Sequence, residues 1–315
     1  MDYIIFDLEW NQATGNHEKE NRQIPFEIIE IGAVKLNSNR EMVGEFSELI
    51  KPQIYKEIHY ITSKLIHIQM EELEKGKPFL EVMKRFLEWC GNDCVFCTWG
   101  PLDLMELQRN MDFYNMEPLS DKPIKFYDIQ KLFSLAYEDG KLRRSLEYAI
   151  DMMLIKKDIP FHRAFSDAYY TAKIFDKIED PAVLEKFSFD TYRIPPKKED
   201  EIYINFDHYN KYISRGFADK AKLLNDKEVM SSRCYCCNRA LKKKIRWFTP
   251  NGKHYYSVVY CFRHGYTKCK LRIRKSDNGE IYAVKTGKSI SHLEMKNLCD
   301  QLQKLKEAKK QRQKK

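Results

Sequence analysis

The stretch Phe6-Asp7-Leu8-Glu9-Trp10 (FDLEW) contains two carboxylates in an otherwise apolar, strand-like run. Residues i and i+2 of a β-strand point to the same face, so Asp7 and Glu9 lie side by side. Adjacent carboxylates repel each other unless a cation lies between them, and hard oxygen ligands of this kind suit Mg²⁺ or Mn²⁺. Taken alone, the run is better explained by two solvated acids on an exposed strand face.

The sequence around this stretch predicts a sheet followed by helices. Apolar, β-branched runs at Tyr3–Glu9, Ile28–Leu36 and Glu45–Ile50 predict an opening antiparallel sheet. Cys94–Trp99 predicts a buried strand. Helical spacing of apolar residues predicts helices at Met70–Trp89, Leu102–Met111, Ile129–Ala136, Leu142–Met153 and about Arg163–Ile178. This alternation is typical of a layered α/β domain of about 180 residues.

A second candidate acid follows the buried strand, in the motif TWGPLD at residues 98–103. Gly100 and Pro101 turn the chain there, and Pro101 suits the first turn of a helix. Asp103 then lies at the N-terminus of that helix. Acids are common at this position simply because they favour the helix dipole, so this motif is also weak alone.

The third motif is HRAFSDA at residues 162–168. If His162 and Asp167 lay within one helix, five residues at about 100° each would place them about 140° apart. They converge only if His162 lies on the loop before the helix. Pro160 favours that arrangement, because it disfavours helix before it and tolerates a helix that starts just after it.

The chain contains FDLEW, TWGPLD and HRAFSDA in this order, together with IIEIGAVK at residues 28–35. The order and spacing of these motifs resemble those of the DEDDh branch of the RNase T/DnaQ-like 3′–5′ exonucleases, particularly its ERI-1-like members. The resemblance covers residues 1–178. It implies an α/β, RNase H-like exonuclease fold in which a mixed central sheet is flanked by helices. It also implies a general base, His162, and two Mg²⁺ or Mn²⁺ ions held by Asp7, Glu9, Asp103 and Asp167.

Charge is divided unevenly along the chain. Residues 231–315 hold 23 basic and five acidic side chains, a net charge of +18, whereas residues 1–230 have a net charge of −9. A strongly positive segment on an acidic body indicates a polyanionic partner, because Lys and Arg that neutralise phosphates release condensed counterions. The alternative is a basic surface that only aids solubility.

Composition also predicts the domain boundaries. Pro195, Pro196 and the charge run Lys197–Glu201 break regular structure, whereas a region rich in Cys, Tyr and basic residues begins at Arg233. We therefore expect an exonuclease domain at 1–180, a linker or connecting region at 181–232, a basic zinc-ribbon-like module at 233–290 and a basic helical tail at 291–315.

Four side chains of the basic module have zinc-ligand spacing: Cys234, Cys237, Cys261 and His264. Each pair is a ligand-x₂-ligand turn followed by Asn or Gly, residues that tolerate the positive φ such a turn requires. One structural Zn²⁺ is the expected cofactor. Cys236 and Cys269 are the alternative ligands, and a cluster of free thiols is the alternative to a metal site. The C-x₂-C spacing at Cys94 and Cys97 is instead assigned to core thiols.

Basic residues interleaved with aromatic residues predict nucleic-acid contacts in the same module. The candidates there are Lys242, Lys243, Lys244, Arg246, Arg272 and Arg274. Trp10 is a further candidate that could stack on a terminal base.

The combined prediction is a metal-dependent 3′–5′ exonuclease that releases 5′-mononucleotides. Single-stranded RNA is the expected substrate because of the ERI-1-like resemblance. A DNA exonuclease and a catalytically quiet nucleic-acid-binding regulator are the alternatives. We expect no membrane span, because no apolar run reaches the required ~20 residues. We also expect a cytoplasmic location, because nine Cys is an odd number and far below the density of a disulfide scaffold. The sequence does not identify a protein partner.

Overall fold

The structure is a computed structural model that describes residues 1–14, 20–66, 68–140, 142–206 and 209–313. The chain divides into two compact units. The first consists of residues 1–120 and 124–192, and the second of residues 121–123 and 193–315.

A mixed six-stranded sheet forms the centre of the first unit, with the order β3-β2-β1-β4-β5-β6. Strands β1 to β3 are antiparallel, β4 and β5 run parallel to β1, and β6 is antiparallel to β5. The strand bounds are β1 Asp2–Asn11, β2 Glu27–Leu36, β3 Met42–Leu49, β4 Cys94–Thr98, β5 Lys125–Asp128 and β6 Ser188–Phe189. The predicted opening antiparallel sheet is therefore confirmed.

Helices cover both faces of this sheet. Their bounds are α1 Tyr60–Ile66, α2 Met70–Leu73, α3 Phe79–Cys90, α4 Leu102–Phe113, α5 Ile129–Tyr137, α6 Leu146–Met152, α7 Ala164–Asp176 and α8 Pro181–Leu184. On one face, Phe6 and Leu8 of β1 pack against α3 and α4. On the other face, Ile5 packs with residues of α5, α6 and α7. Since side chains alternate along a strand, Asp7 and Glu9 point to the face of Ile5, the face that α7 covers.

The single helix predicted at Met70–Trp89 is wrong, because the chain forms α2 and α3 with a turn between them. A side chain at Gly76 would crowd the backbone at Leu49–Lys51. Pro78 then caps the start of α3, where its missing N–H costs nothing. Apolar spacing continued through the turn and concealed this break.

The second unit contains an antiparallel six-stranded sheet with the order β7-β8-β12-β11-β10-β9. Its strands are β7 Ile202–Asn205, β8 Tyr209–Ile213, β9 Lys243–Phe248, β10 His254–Cys261, β11 Gly265–Lys275 and β12 Ile281–Ile290. Its helices are α9 Lys220–Asn225 and α10 His292–Gln313. The predicted tail is thus helical as far as Gln313, and Lys314 and Lys315 lie outside the described residues.

The segment 181–232, expected to be a linker, differs from that expectation. It begins with α8 and β6 of the first unit and then supplies β7, β8 and α9 to the second unit. Strand β8 pairs with β12, for example Tyr212 with Lys285. This pairing spans a long sequence separation, so local composition around Pro195 and Pro196 does not reveal it. The boundary between the compact units lies near Tyr192.

None of the described helices is both long enough and apolar enough to cross a membrane.

Candidate functional site

Three of the predicted carboxylates converge between β1 and α7. Asp7, Glu9 and Asp167 each offer an oxygen atom, and these atoms lie within 4.8 Å of one another. Asp7 and Glu9 come from β1, whereas Asp167 lies in the first turn of α7. All three residues are partly exposed. The strand spacing inferred from FDLEW therefore does bring the two acids to one face.

Close packing of α7 on β2 makes this convergence possible. Gly32 of β2 lies directly opposite Asp7 in the β1–β2 register. A Cβ atom added at Gly32 would overlap the backbone of Ala164 and Phe165 at the start of α7. A glycine inside a strand often marks such an approach of another backbone. Gly32 therefore lets Asp167 approach Asp7.

Asp103 lies near this cluster but outside the group of three. It is the second residue of α4 and is 6% exposed, and its carboxylate accepts hydrogen bonds from its own backbone amide and from that of Leu8. Burial is the main cause that raises the pKa of Asp7, and the charge of Asp103 is the next. The fourth predicted acid is thus electrostatically coupled to the other three.

His162 lies on the bend that precedes α7, as the sequence predicts. Its φ of 64° places it in the left-handed region, which is uncommon for a residue with a side chain. The His162 backbone donates a hydrogen bond to the Asp167 carboxylate, and the imidazole is exposed to solvent. Backbone strain of this kind concentrates at functional sites.

The electrostatics of the four acids favour a bound cation. Burial, followed by neighbouring carboxylates, raises the pKa of Glu9 to about 8. Burial also raises the pKa of Asp103 to about 7 and that of Asp167 to about 6. Oδ1 of Asp167 is buried and has no hydrogen-bond partner among the described residues. Clustered carboxylate oxygens fit ligation of Mg²⁺ or Mn²⁺ when their ionisation is otherwise unfavourable and one of them has no hydrogen-bond partner.

Residues 4–175 match the RNase_T family model, which describes an exonuclease. The chain belongs to this exonuclease family. The match covers more than half of the chain and includes every residue of the acid cluster as well as His162. Exonucleases are hydrolases of phosphodiester bonds, so the RNase T match assigns hydrolysis of nucleic acid to the first unit.

Solved structures similar to this RNase T family member include other nucleases. The nuclease domain of 3′hExo, a DEDDh family member bound to rAMP, is 20% identical with a TM-score of 0.48, over 56% of this chain and 90% of that one. S. pombe Pop2p, in a Mg²⁺ and Mn²⁺ bound form, is 16% identical with a TM-score of 0.44, over 57% and 83%. E. coli Exonuclease I in complex with a dA16 oligonucleotide is 13% identical with a TM-score of 0.47, over 75% and 59%. No curated protein matches the chain by sequence.

Sequence reasoning missed two contributions to this site. One is Gly32, whose position inside the strand IIEIGAVK was the available signal. The other is the ion pair between Arg163 and Glu30, which joins the loop of His162 to β2. Glu30 lies opposite Glu9 across the β1–β2 ladder. No local pattern predicts this pair, because its members are 133 residues apart.

Trp10, predicted to contact nucleic acid, packs partly into the core. Its ring centroid is 5.5 Å from that of Phe26, and Thr62 donates a hydrogen bond to its backbone carbonyl. The indole keeps some exposure at the end of β1, so its contact with a terminal base stays a prediction.

A second cluster of metal-ligand type lies in the second unit. Cys234, Cys237, Cys261 and His264 each offer an atom within 4.8 Å of those of the others. His264 Nδ1 lies 3.5 Å from the sulfur atoms of Cys234 and Cys261, and the sulfur atoms of Cys237 and Cys261 are 3.9 Å apart. The four atoms therefore surround a space suited to one ion. The alternative ligands Cys236, which is exposed, and Cys269 do not belong to this group.

Both turns of this cluster direct backbone amides at sulfur. The amides of Cys236 and Cys237 donate to Cys234, and those of Arg263 and His264 donate to Cys261. Burial opposes ionisation of Cys261, but the donated hydrogen bonds outweigh it and lower the pKa of that thiol to about 6. Asn238 and Gly265, which end the turns, have φ values of 57° and 74°. The positive φ expected after each turn is present.

The predicted nucleic-acid-binding cations occupy two places in the second unit. Lys243, Lys244 and Arg246 lie on the edge strand β9, and Lys242 immediately precedes it. Arg272 and Arg274 lie on β11 and are exposed. The strand β10 separates these two groups in the sheet.

Proposed function

We propose that the first unit is a divalent-metal-dependent 3′–5′ exonuclease that releases 5′-mononucleotides. The observation that carries this proposal is the convergence of Asp7, Glu9 and Asp167 within 4.8 Å, inside the segment that matches the exonuclease family. Asp103, coupled to Asp7 through its charge, completes the set. The four carboxylates would hold two Mg²⁺ or Mn²⁺ ions.

Such ions, when bound, neutralise charge on the reacting phosphate and make bound water more acidic. The side chains of the chain have complementary tasks. The four acids fix the positions of the ions and bring the scissile phosphate against β1. His162, exposed on its bend beside Asp167, accepts the proton of the attacking water through its imidazole. The cleaved bond is the one between phosphorus and the 3′-oxygen of the preceding nucleotide, which leaves the phosphate on the released nucleotide.

RNA is the proposed substrate, in single-stranded form. This choice rests on the ERI-1-like character of the motifs FDLEW, TWGPLD and HRAFSDA. A DNA exonuclease is the second candidate. A quiet regulator on an exonuclease fold is less well supported, because all four acids and His162 are present and three of the acids converge in one cluster.

Digestion of matched RNA and DNA oligonucleotides tests these proposals. With a 5′ label and Mg²⁺ or Mn²⁺, the strand should shorten stepwise from its 3′ end, release 5′-mononucleotides, and remain intact in EDTA. Shortening from the 5′ end, or activity that persists in EDTA, would contradict the proposed chemistry. Equal or faster digestion of DNA would contradict the preference for RNA alone.

We also propose one structural Zn²⁺ held by Cys234, Cys237, Cys261 and His264. Three thiolates and one imidazole form a closed tetrahedral set that leaves no position for water, which is typical of structural rather than catalytic zinc. The amides directed at Cys234 and Cys261 stabilise the thiolate form that zinc requires. Thiolate ligands must stay reduced, which favours a cytoplasm-like compartment for this protein.

We further propose that residues 1–192 are the exonuclease domain and that the basic second unit binds the nucleic acid. The compact units and the charge division support this arrangement. A connecting region at 181–232 is not retained in the proposal, because that segment supplies strands to the second sheet.

A further inference from the structure

The sheet of the second unit has two chemically different faces. On one face, Leu271 of β11 and Ala283 of β12 pack with Leu223 of α9 in a hydrophobic cluster. The other face carries the alternate residues of β11, of which Tyr266 packs with Leu298 of α10. Beyond Tyr266, this face carries a row of cations. We call it the basic face, and it consists of Lys268, Lys270, Arg272 and Arg274 of β11 with Lys288 of β12.

The register of the strands concentrates these charges. Lys268 lies directly opposite Lys288 in the β11–β12 ladder, and Arg272 lies opposite His254 in the β10–β11 ladder. Like charges directly opposite each other destabilise a sheet. Partial burial lowers the pKa of Lys270, and the charges of Arg272, Lys268 and Lys288 lower it further. The arrangement is therefore unfavourable unless an anion lies on the face.

The partners of the basic-face cations are aromatic rather than acidic: the ammonium groups of Lys268 and Lys270 lie over the ring of Tyr256, and that of Lys288 lies over the ring of Tyr209. None of the five cations forms an ion pair with any residue in the described parts of the chain, and Arg272, Arg274 and Lys288 are exposed. In contrast, Arg215 of this unit binds Glu201 and Asp226, and Arg233 binds Glu228. At the β10, β11 and β12 positions that share this face, no described residue is Asp or Glu.

The geometry of the row suits an extended polyanion. Alternate residues of a strand are about 6.7 Å apart, so the four cations of β11 extend over about 20 Å. At the Arg274 end, the row meets a cleft of about 430 Å³. Lys220, Lys253 and His254 line this cleft together with Arg272 and Arg274. A chain of regularly spaced phosphates matches both the extended row of cations and the basic cleft at its end.

We propose that the basic face is a binding track for the phosphate backbone of a nucleic-acid strand. The strand would lie along β11 and enter the cleft beside Arg272 and Arg274. This inference rests on the proposed function, because exonuclease activity is what selects nucleic acid among polyanions. The prediction from sequence also included cations of β9. The present proposal instead places the contacts on one face of β11 and β12 and does not include β9.

The test is binding of a 5′-fluorescein-labelled single-stranded RNA 20-mer to the full chain carrying Asp7→Asn, at several salt concentrations. This substitution prevents cleavage without a chelator, which would also remove the proposed zinc. The variant is Lys270→Gln with Arg272→Gln. Each lost phosphate contact should make the slope of log affinity against log salt shallower by about 0.7, so two should remove about 1.4. At 0.1 M salt, this corresponds to about a 25-fold loss of affinity.

The matched control is Lys222→Gln with Lys227→Gln, which removes the same charge. Lys222 lies on α9, whose Leu223 packs on the opposite face, and Lys227 lies in the turn that follows. Unchanged binding by this control, with weakened binding by the basic-face variant, would support the track. Equal losses in both variants would overturn it in favour of general charge attraction. Thermal unfolding verifies that each variant is folded, and Lys288→Gln provides a second, exposed probe of the same face.

Two further measurements separate this inference from other outcomes. Vesicles of phosphatidylserine and phosphatidylcholine test an anionic membrane as the occupant. Loss of vesicle binding without loss of RNA binding would overturn the proposal. Hydrolysis of a dinucleotide with Mn²⁺ by the unaltered protein tests the active site alone. If the unaltered protein hydrolyses nothing while RNA binding still depends on Lys270 and Arg272, the proposed function fails and the track stands.

Discussion

The guanidinium of Arg163 donates three hydrogen bonds to the carboxylate of Glu30, which is 1% exposed. Nε donates to Oε1 at 3.2 Å and to Oε2 at 3.0 Å, and Nη2 donates to Oε1 at 2.9 Å. Arg163 is the residue between His162 and the start of α7. The pair therefore fixes the bend at His162 against β2, the strand that lies beside β1.

Replacement of Arg163 by Ala should lower the free energy of unfolding by about 1–3 kcal/mol, because it leaves a buried carboxylate without its donors. Arg163→Lys should retain part of this stability, since an ammonium keeps the charge but not the fork of donors. Urea denaturation of both variants measures the difference. In the double variant with Glu30→Gln, the loss should be smaller than the sum of the single losses, and strict additivity would contradict the coupling.

Asp7→Asn should abolish nucleotide release while the protein stays folded. Loss of one charged ligand removes several kcal/mol of transition-state stabilisation, because the cations supply charge neutralisation and the nucleophile together. The measurement is the rate of release of 5′-mononucleotides with Mn²⁺. Glu45→Gln, an exposed acid on β3 of the same sheet, is the matched control and should retain full activity. Undiminished release by Asp7→Asn would remove this cluster from the mechanism.

His162→Ala should reduce the catalytic rate by about 10²–10⁴-fold, the usual contribution of a positioned general base. The variant should also lose the increase of rate with pH that proton acceptance by an imidazole produces. Binding of Mn²⁺, measured by calorimetry, should be nearly unchanged. A variant whose pH–rate profile follows that of the unaltered protein would exclude His162 as the base.

The sequence predicts the acid cluster more completely than the second unit. Period-two alternation in FDLEW is a local signal, and it predicts that Asp7 and Glu9 lie together on one face of the strand. That α7 covers this face was not predicted. The position of His162 before its helix does follow from angles and from Pro160. In contrast, β8 is defined by pairing with β12 about 70 residues later, and such pairing has no local signature around Asn210 or Tyr212. The basic face has the same origin, because only the register brings Lys268 and Lys288 opposite each other.

Stability of the metal-free protein should fall as pH rises from about 4 to about 8. Burial and mutual repulsion raise the pKa values of Glu9, Asp103 and Asp167 to about 8, 7 and 6, above the values near 4 expected in the unfolded chain. The folded state therefore binds more protons in this window, so raising the pH favours unfolding. Urea denaturation in EDTA between pH 5 and 8 measures the slope.

Addition of Mn²⁺ should reverse this trend, because bound cations compensate the same carboxylates, and the stabilisation should be greatest at pH 8. Asp103→Asn provides the control. It removes one raised pKa and should flatten the decrease in EDTA. Stability that rises with pH in EDTA, and equally in Asp103→Asn, would show that these acids are not repelling one another in the folded protein.

The cysteine cluster distinguishes ligand from non-ligand within one turn, since Cys236 and Cys237 are adjacent but only Cys237 belongs to the group of four. Purified protein should contain one Zn²⁺ per chain by elemental analysis. Cys237→Ser should lose most of it, whereas Cys236→Ser and Cys269→Ser should retain it.

The structural reason is that the turn between Cys261 and His264 adds little to a hydrophobic core. Phe262, which lies between the ligands Cys261 and His264, is 92% exposed and contributes nothing to a core. Metal binding must therefore supply the free energy that closes the turns around Asn238 and Gly265. In Cys237→Ser, these turns should open, which faster amide hydrogen exchange at residues 234–240 and 261–265 would reveal. Exchange in β1 and α7 of the first unit should be unchanged. Retention of zinc in Cys237→Ser together with its loss in Cys236→Ser would show that Cys236 is the ligand. Less than about half an equivalent of zinc in the unaltered protein would contradict the zinc site itself.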